Sequence, residues 1–243
     1  MKRGRMEMER EIDLLAIGPH PDDVELGMGG TLALHAARGY RTAIIDLTRG
    51  EMGSNGTPAQ RIREGEEAAR ALGCQWRLNL GLPDRGLDPR DPEQLRRVVE
   101  AIRTARPKVL AVNWGVDRHP DHRAGCALVE EAFFTAGLRR YETEQSAHRP
   151  ARLLFYFIND EAEPSFLVDI TAVRAKKIES LFAHESQFAR DAGEVETRLN
   201  AKAGLLYLIE SRDRLFGAKI GVEYAEGFVT RQPLVMGDLV GLR

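Results

Sequence analysis

Ile12-Asp13-Leu14-Leu15-Ala16-Ile17-Gly18-Pro19-His20-Pro21-Asp22-Asp23 sets an apolar run directly against a histidine and two carboxylates. The run reads as a buried strand of a parallel sheet, because such strands are covered on both faces and lose polar alternation. Val24-Glu25-Leu26-Gly27-Met28-Gly29-Gly30 follows, and then a helical pattern over residues 31–38. The charged groups therefore stand where a strand ends and a helix begins, the place where open α/β sheets bind ligands. A second stretch answers it. His119-Pro120-Asp121-His122 comes after another apolar run, Val109-Leu110-Ala111-Val112-Asn113.

Working outward, the pattern alternates. Residues 41–48 are a second strand, followed by a glycine-rich polar loop over residues 49–57. Thr57 is placed to cap the next helix, with Pro58 at its first position, Ile62, Ala69 and Leu72 on its apolar face, and Gly73 as its stop. Residues 75–80 form a short third strand and residues 82–86 a loop. A helix starts at Asp91-Pro92 with Leu95, Val98, Val99 and Ile102 at helical spacing, and Pro107 ends it. Residues 122–136 form the helix after the fourth strand. This alternation predicts an α/β fold: one Rossmann-like domain, mostly parallel, with helices on both faces and right-handed crossovers. A strand order of 3-2-1-4 would put His20 and His122 at one crevice. Beyond Gly137, residues 152–157 and 166–170 look like strands, and residues 171–182 and 197–212 like helices. Residues 221–230 read as a short strand or a loop. Residues 11–243 are taken as one domain, with residues 1–10 as a charged leader.

The chain has 243 residues, 43% of them hydrophobic, and a net charge of -2. That suits one α/β domain, which often runs to about 200–250 residues. A pI near 6.3 gives no global field for nucleic acid or a membrane surface. No apolar run reaches the ~20 residues that span a bilayer. Two cysteines, Cys74 and Cys126, argue against a disulfide framework and fit a reducing cytoplasm.

Zinc accepts imidazole nitrogen and carboxylate oxygen, and a catalytic site keeps one position open, so three protein ligands are needed. His20 and Asp23 are three apart across a turn and can reach one ion, leaving Asp22 free as a base. Either His119 or His122 completes the set, and the other faces substrate. Against this, Asp22 or Asp23 could simply cap the helix. A metal-dependent phosphoesterase and a catalytically silent sugar-binding protein are the competing functions. The first would need more clustered carboxylates for two ions. The second would not need Asp22.

The paired motifs resemble those of the LmbE-like (PIG-L) zinc N-deacetylases. Further matches are Asp46-Leu47-Thr48-Arg49-Gly50-Glu51, Ser54-Asn55-Gly56-Thr57, Pro83-Asp84-Arg85-Gly86-Leu87, Glu185-Ser186-Gln187-Phe188 and Tyr224-Ala225-Glu226-Gly227-Phe228. The extended set is similar to the branch that deacetylates N-acetylglucosaminyl-malate in bacillithiol synthesis. Other members act on other N-acetyl amino sugars. The resemblance implies one Zn2+ per chain, or another divalent metal, on His20, Asp23 and His122. It implies Asp22 as general base, and a protonated His119 for the oxyanion, oriented by Asp121. Arg61 and Arg118 match positions that contact substrate. A cytoplasmic homo-oligomer, a hexamer being one form, and a small amino-sugar substrate are implied as well. Relatives carry a mobile tyrosine near the pocket, and Tyr207 does not align with it clearly.

Several residues have plainer readings. Arg49 and Glu51 face the crevice and are expected to line the sugar site. Gly27, Gly29 and Gly30 fail the dinucleotide pattern and are expected to serve close packing. His35, His148 and His184 are expected on the surface or a helix face. Trp76, Trp114 and the cysteines are read as packing residues.

Overall fold

A computed structural model describes residues 11–189, 195–201, 204–235 and 237. The charged leader, residues 1–10, lies outside the described residues. Among the described residues, seven strands form one sheet: β1 (Leu14–Gly18), β2 (Thr42–Thr48), β3 (Trp76–Leu82), β4 (Val109–Asn113), β5 (Arg152–Tyr156), β6 (Phe166–Asp169) and β7 (Ala225–Val229). Their order is β3-β2-β1-β4-β5-β7-β6. The first five are parallel, and β7 runs antiparallel between β5 and β6. The order 3-2-1-4 expected from the alternating pattern is therefore present.

Side chains of each strand part to two faces. Leu15 and Ile17 of β1 join a core with α3 (Pro92–Ala105) and α4 (Pro120–Ala136). Leu14 and Ala16 join the opposite core, under α1 (Asp23–Ala37), α2 (Pro58–Leu72), α5 (Arg174–Phe182), α6 (Glu185–Phe188) and α7 (Leu205–Ile220). The cap read at Thr57 is formed, its side chain accepting from Gln60 N. Among the described residues, no helix is long and apolar enough to cross a membrane.

Four elements depart from expectation. Helix α1 begins at Asp23 rather than at residue 31. It breaks at Met28, where φ is -148° and ψ 22°, and resumes because the buried carboxylate of Glu226 accepts from Gly30 N at 2.9 Å and Thr31 N at 2.6 Å. A carboxylate thus caps the second segment from across the sheet. The glycines around the break do serve close packing, since a Cβ on Gly27 would lie 2.1 Å from the Tyr156 ring. β3 runs to Leu82, which pairs with Thr48 after a register shift. The last long helix spans 205–220, not 197–212, and stops at Gly221 in the left-handed region. Residues 221–230 hold a true strand, β7, because both β5 and β6 pair with it.

Candidate active site

Ile17 of β1 pairs with Val112 of β4, so the loops after both strands meet. Above them opens a cavity of about 270 Å³ whose floor holds His20, Asp22, Asp23, Asp84, His119 and His122. A second cavity, about 310 Å³, opens elsewhere and is mostly apolar, with Leu14, Met28 and Phe166 in its wall. Size does not separate the two, but chemistry does. Among the described residues, both groups of side chains close enough to hold an ion, His20–His119–His122 and His20–Asp84–Asp121, lie at the first cavity.

Asp22 is the residue before α1, yet its side chain makes no capping bond, and its φ is 122°. An aspartate held in that region is strained, and such strain collects at functional sites. Asp23 is turned to the histidines. Its Oδ2 accepts from His20 N at 2.9 Å and lies 3.0 Å from His20 Nδ1, and its Oδ1 lies 3.3 Å from His122 Nε2. The capping reading thus fails for both aspartates as the sole explanation. His20 Nε2 faces two further carboxylates, Asp84 at 3.2 Å and Asp121 at 3.5 Å.

His119 precedes α4, and its Nδ1 accepts from Asp121 N at 3.2 Å. In the neutral ring the proton is then on Nε2. The His119 ring lies 4.6 Å from that of His122 and 4.8 Å from that of His20. Asp121 does not serve His119 as expected. Its carboxylate accepts from Arg85 N at 2.6 Å and points to His20, because the helix start turns it toward the β3–α3 loop.

These contacts set the charges. Burial opposes charge on His20, but Asp121, Asp23 and Asp84 outweigh it and hold its pKa well above the ordinary value. Burial likewise opposes His122, yet the Asp23 charge and the Asp117 bond lift it to about 9. His119 goes the other way, down to about 4, through burial and repulsion from the other two rings. These surroundings favour the neutral His119 ring, where the motif implied a protonated one. Asp22 is pushed up to about 6, chiefly by burial, with Arg61 pulling it down and Asp23 pushing it up. Two imidazolium charges among four carboxylates occupy the place a divalent cation would fill. The donor set of imidazole and carboxylate fits such an ion, and its binding would release those protons.

Arg61 lines the cavity from below rather than at its mouth. It is 4% exposed and donates to Gly50 O, Pro21 O and Asp22 Oδ2. Arg118 is exposed at the mouth with Arg85 and Arg198. Arg49 is not in the cavity wall, since its guanidinium lies against Gly81. Tyr207 is 66% exposed and also outside the wall. His184 is fully buried, not on a surface, with Nε2 3.4 Å from Glu25 Oε1. Sequence reasoning missed Asp84, Asp117 and Asn159. Pro83-Asp84-Arg85-Gly86, quoted above for its resemblance, was the only available signal for Asp84.

The profile of the PIG-L family, GlcNAc-PI de-N-acetylase, matches residues 15–133. The chain is 30% identical over 229 residues to diacetylchitobiose deacetylase of Thermococcus kodakarensis, covering 88% of this chain and 81% of that one. It is 31% identical over 205 residues to a probable N-acetyl-alpha-D-glucosaminyl L-malate deacetylase 2 of Bacillus anthracis, covering 78% and 87%. The crystal structure of a conserved protein from Thermus thermophilus superposes with a TM-score of 0.86 at 42% identity, over 96% of this chain and 99% of that one.

Proposed function

We propose, since this chain belongs to the PIG-L family, that it removes the acetyl group from an N-acetylglucosaminyl conjugate, namely N-acetylglucosaminyl-malate in bacillithiol synthesis. The observation that carries the chemistry is one cavity in which a buried carboxylate of pKa about 6, Asp22, adjoins a cluster of imidazoles and carboxylates. Residues 11–243 would act as one deacetylase domain, in the cytoplasm and as a homo-oligomer. The two free cysteines are consistent with that compartment.

His20, Asp23 and His122 would hold a single zinc ion. Zinc in such a site lowers the pKa of water toward ~7 and polarises a carbonyl. The chain's own residues do the rest. Asp22 accepts the proton of the attacking water and then passes it to the departing amine. His119 acts as a neutral donor, its Nε2–H directed at the developing oxyanion, a contact of the kind worth about 3–4 kcal/mol. Arg61 holds Asp22 in place from below. Arg118 at the mouth would take a malate carboxylate, since a guanidinium binds that group through two parallel bonds.

The relative that deacetylates diacetylchitobiose supports a second reading, a neutral disaccharide substrate. Amine release from the malate conjugate, diacetylchitobiose and N-acetylglucosamine separates the two. Arg118→Ala should lose about 1.5–3 kcal/mol of kcat/KM on the malate conjugate and little on N-acetylglucosamine. Equal losses on both would refute the malate assignment. No amine from any of the three would refute deacetylation.

A further inference from the structure

The loop between β4 and α4 holds a carboxylate that the proposed reaction leaves without a task. Asp117 is buried, 6% exposed. Its Oδ1 lies 3.0 Å from His122 Nδ1, and it accepts from His119 N at 2.8 Å and from Asn159 Nδ2 at 3.0 Å. Its Oδ2 accepts from Asn159 N at 3.1 Å. One carboxylate therefore joins both histidines of the second motif to the segment after β5. Asn159 is itself held from outside, its Oδ1 accepting from Arg198 Nη1 at 3.1 Å.

The consequence falls on the His122 ring. Asn113 Nδ2 donates to His122 O at 2.8 Å, which fixes the backbone and leaves the imidazole free to turn. At Nδ1 the ring meets the Asp117 carboxylate at 3.0 Å and, farther off, Asn159 Nδ2 at 3.4 Å. A proton kept on Nδ1 leaves the lone pair of the neutral ring on Nε2, the atom that faces Asp23 Oδ1 at 3.3 Å. Asn159, with two donors on Asp117, keeps that carboxylate from rotating away.

We propose that Asp117 and Asn159 are positioning residues that fix the tautomer and rotation of His122: Asp117 by direct contact, Asn159 by holding Asp117. This rests on the reading of His122 as a metal ligand. Partners of this kind typically contribute 10–100-fold to metal affinity.

The test is zinc affinity of the full chain, read by competition with a chromophoric chelator, together with melting of the metal-free protein. Asp117→Ala should bind zinc about 10–100-fold more weakly, measured well below a metal-free melting point that the lost hydrogen bonds lower. Asn159→Ala should lose affinity in the same direction and by less, since Asp117 is still present. It also decides the matter if Asp117→Ala does not fold. Cobalt-loaded Asp117→Ala should show a visible band altered in position or intensity. Parental zinc affinity in both variants would overturn the proposal. So would His122→Ala binding zinc as tightly as the parent, which would remove its premise. The proposed function fails separately, if the parent chain binds zinc yet releases no amine from any N-acetylglucosamine conjugate.

Discussion

Asp22→Asn keeps the shape of the side chain and removes its charge and basicity, and two opposite effects should follow. Loss of general-base help should lower turnover about 10²–10⁴-fold, or about 2.7–5.4 kcal/mol. Stability should move the other way. Burial raises the folded pKa of Asp22 from 3.8 to about 6, so its ionisation is disfavoured in the folded chain. That difference is worth about 3 kcal/mol at 1.36 kcal/mol per pH unit. The folded pKa is the higher one, so the stability is fully present below pH 3.8 and is lost as pH rises through about 6. Asparagine has no such loss. Arg61 keeps Gly50 O and Pro21 O and loses only the Asp22 charge, as it also does in the parent whenever Asp22 is protonated. Metal-free Asp22→Asn should match the parent near pH 4 and exceed it by up to about 3 kcal/mol at pH 7.5 in urea unfolding. Zinc content should be unchanged. Turnover within a few-fold of the parent, or equal stability at pH 7.5, would refute the reasoning.

Two further outcomes concern the support beneath the site. Arg77 is buried and donates to both oxygens of Asp46 at 2.7 Å and to Glu25; Arg77→Met strands two carboxylates and should cost about 3–5 kcal/mol in urea unfolding. Burial alone would raise Glu25, but Arg77 overrides it and holds the carboxyl at about 2, so the parent loses that stability as pH falls from 4.5 toward 2. The variant should instead gain stability on acidification, and a monotonic loss in both would contradict this. A Cβ at Gly50, where φ is 65°, would fall 1.8 Å from Arg61 Nη1. Gly50→Ala should therefore lose about 1–3 kcal/mol of stability and lower kcat as Arg61 leaves Asp22; unchanged melting and kcat would count against that contact.

The frame of the molecule was readable because its signals are local. Two apolar runs, each followed within a few residues by a histidine motif, locate β1, β4 and the crevice between them. What escaped reading depends on distant partners. Gly27-Met28-Gly29-Gly30 has poor helix propensity, and it sits within α1 only because Glu226 caps the break. His184 carries no ligand spacing, yet Glu25 draws it inside. Asp117 and Asn159 are 42 residues apart, and no pattern in either neighbourhood announces their bond. Arg61 was expected to contact substrate, and nothing near it in the sequence announces that the turn at Gly50 closes over it. Asp121 next to His119 suggested a pair, but adjacency in the chain does not set where a carboxylate points.

The cap on the broken helix also bears on how the chain is made. Glu226 lies 196 residues after Gly30, whose amide it accepts. At about 5–20 residues per second of translation, that carboxylate emerges about 10–40 s later. During the interval β1 to β4 are already outside the ribosome and can begin to pair. Helix α1 meanwhile has two amides at its break and no anion to receive them. The second segment of α1 thus waits for its cap on a strand synthesised much later. The apolar strands β1 to β4 are thus made well before the buried carboxylate that completes the helix packed over them.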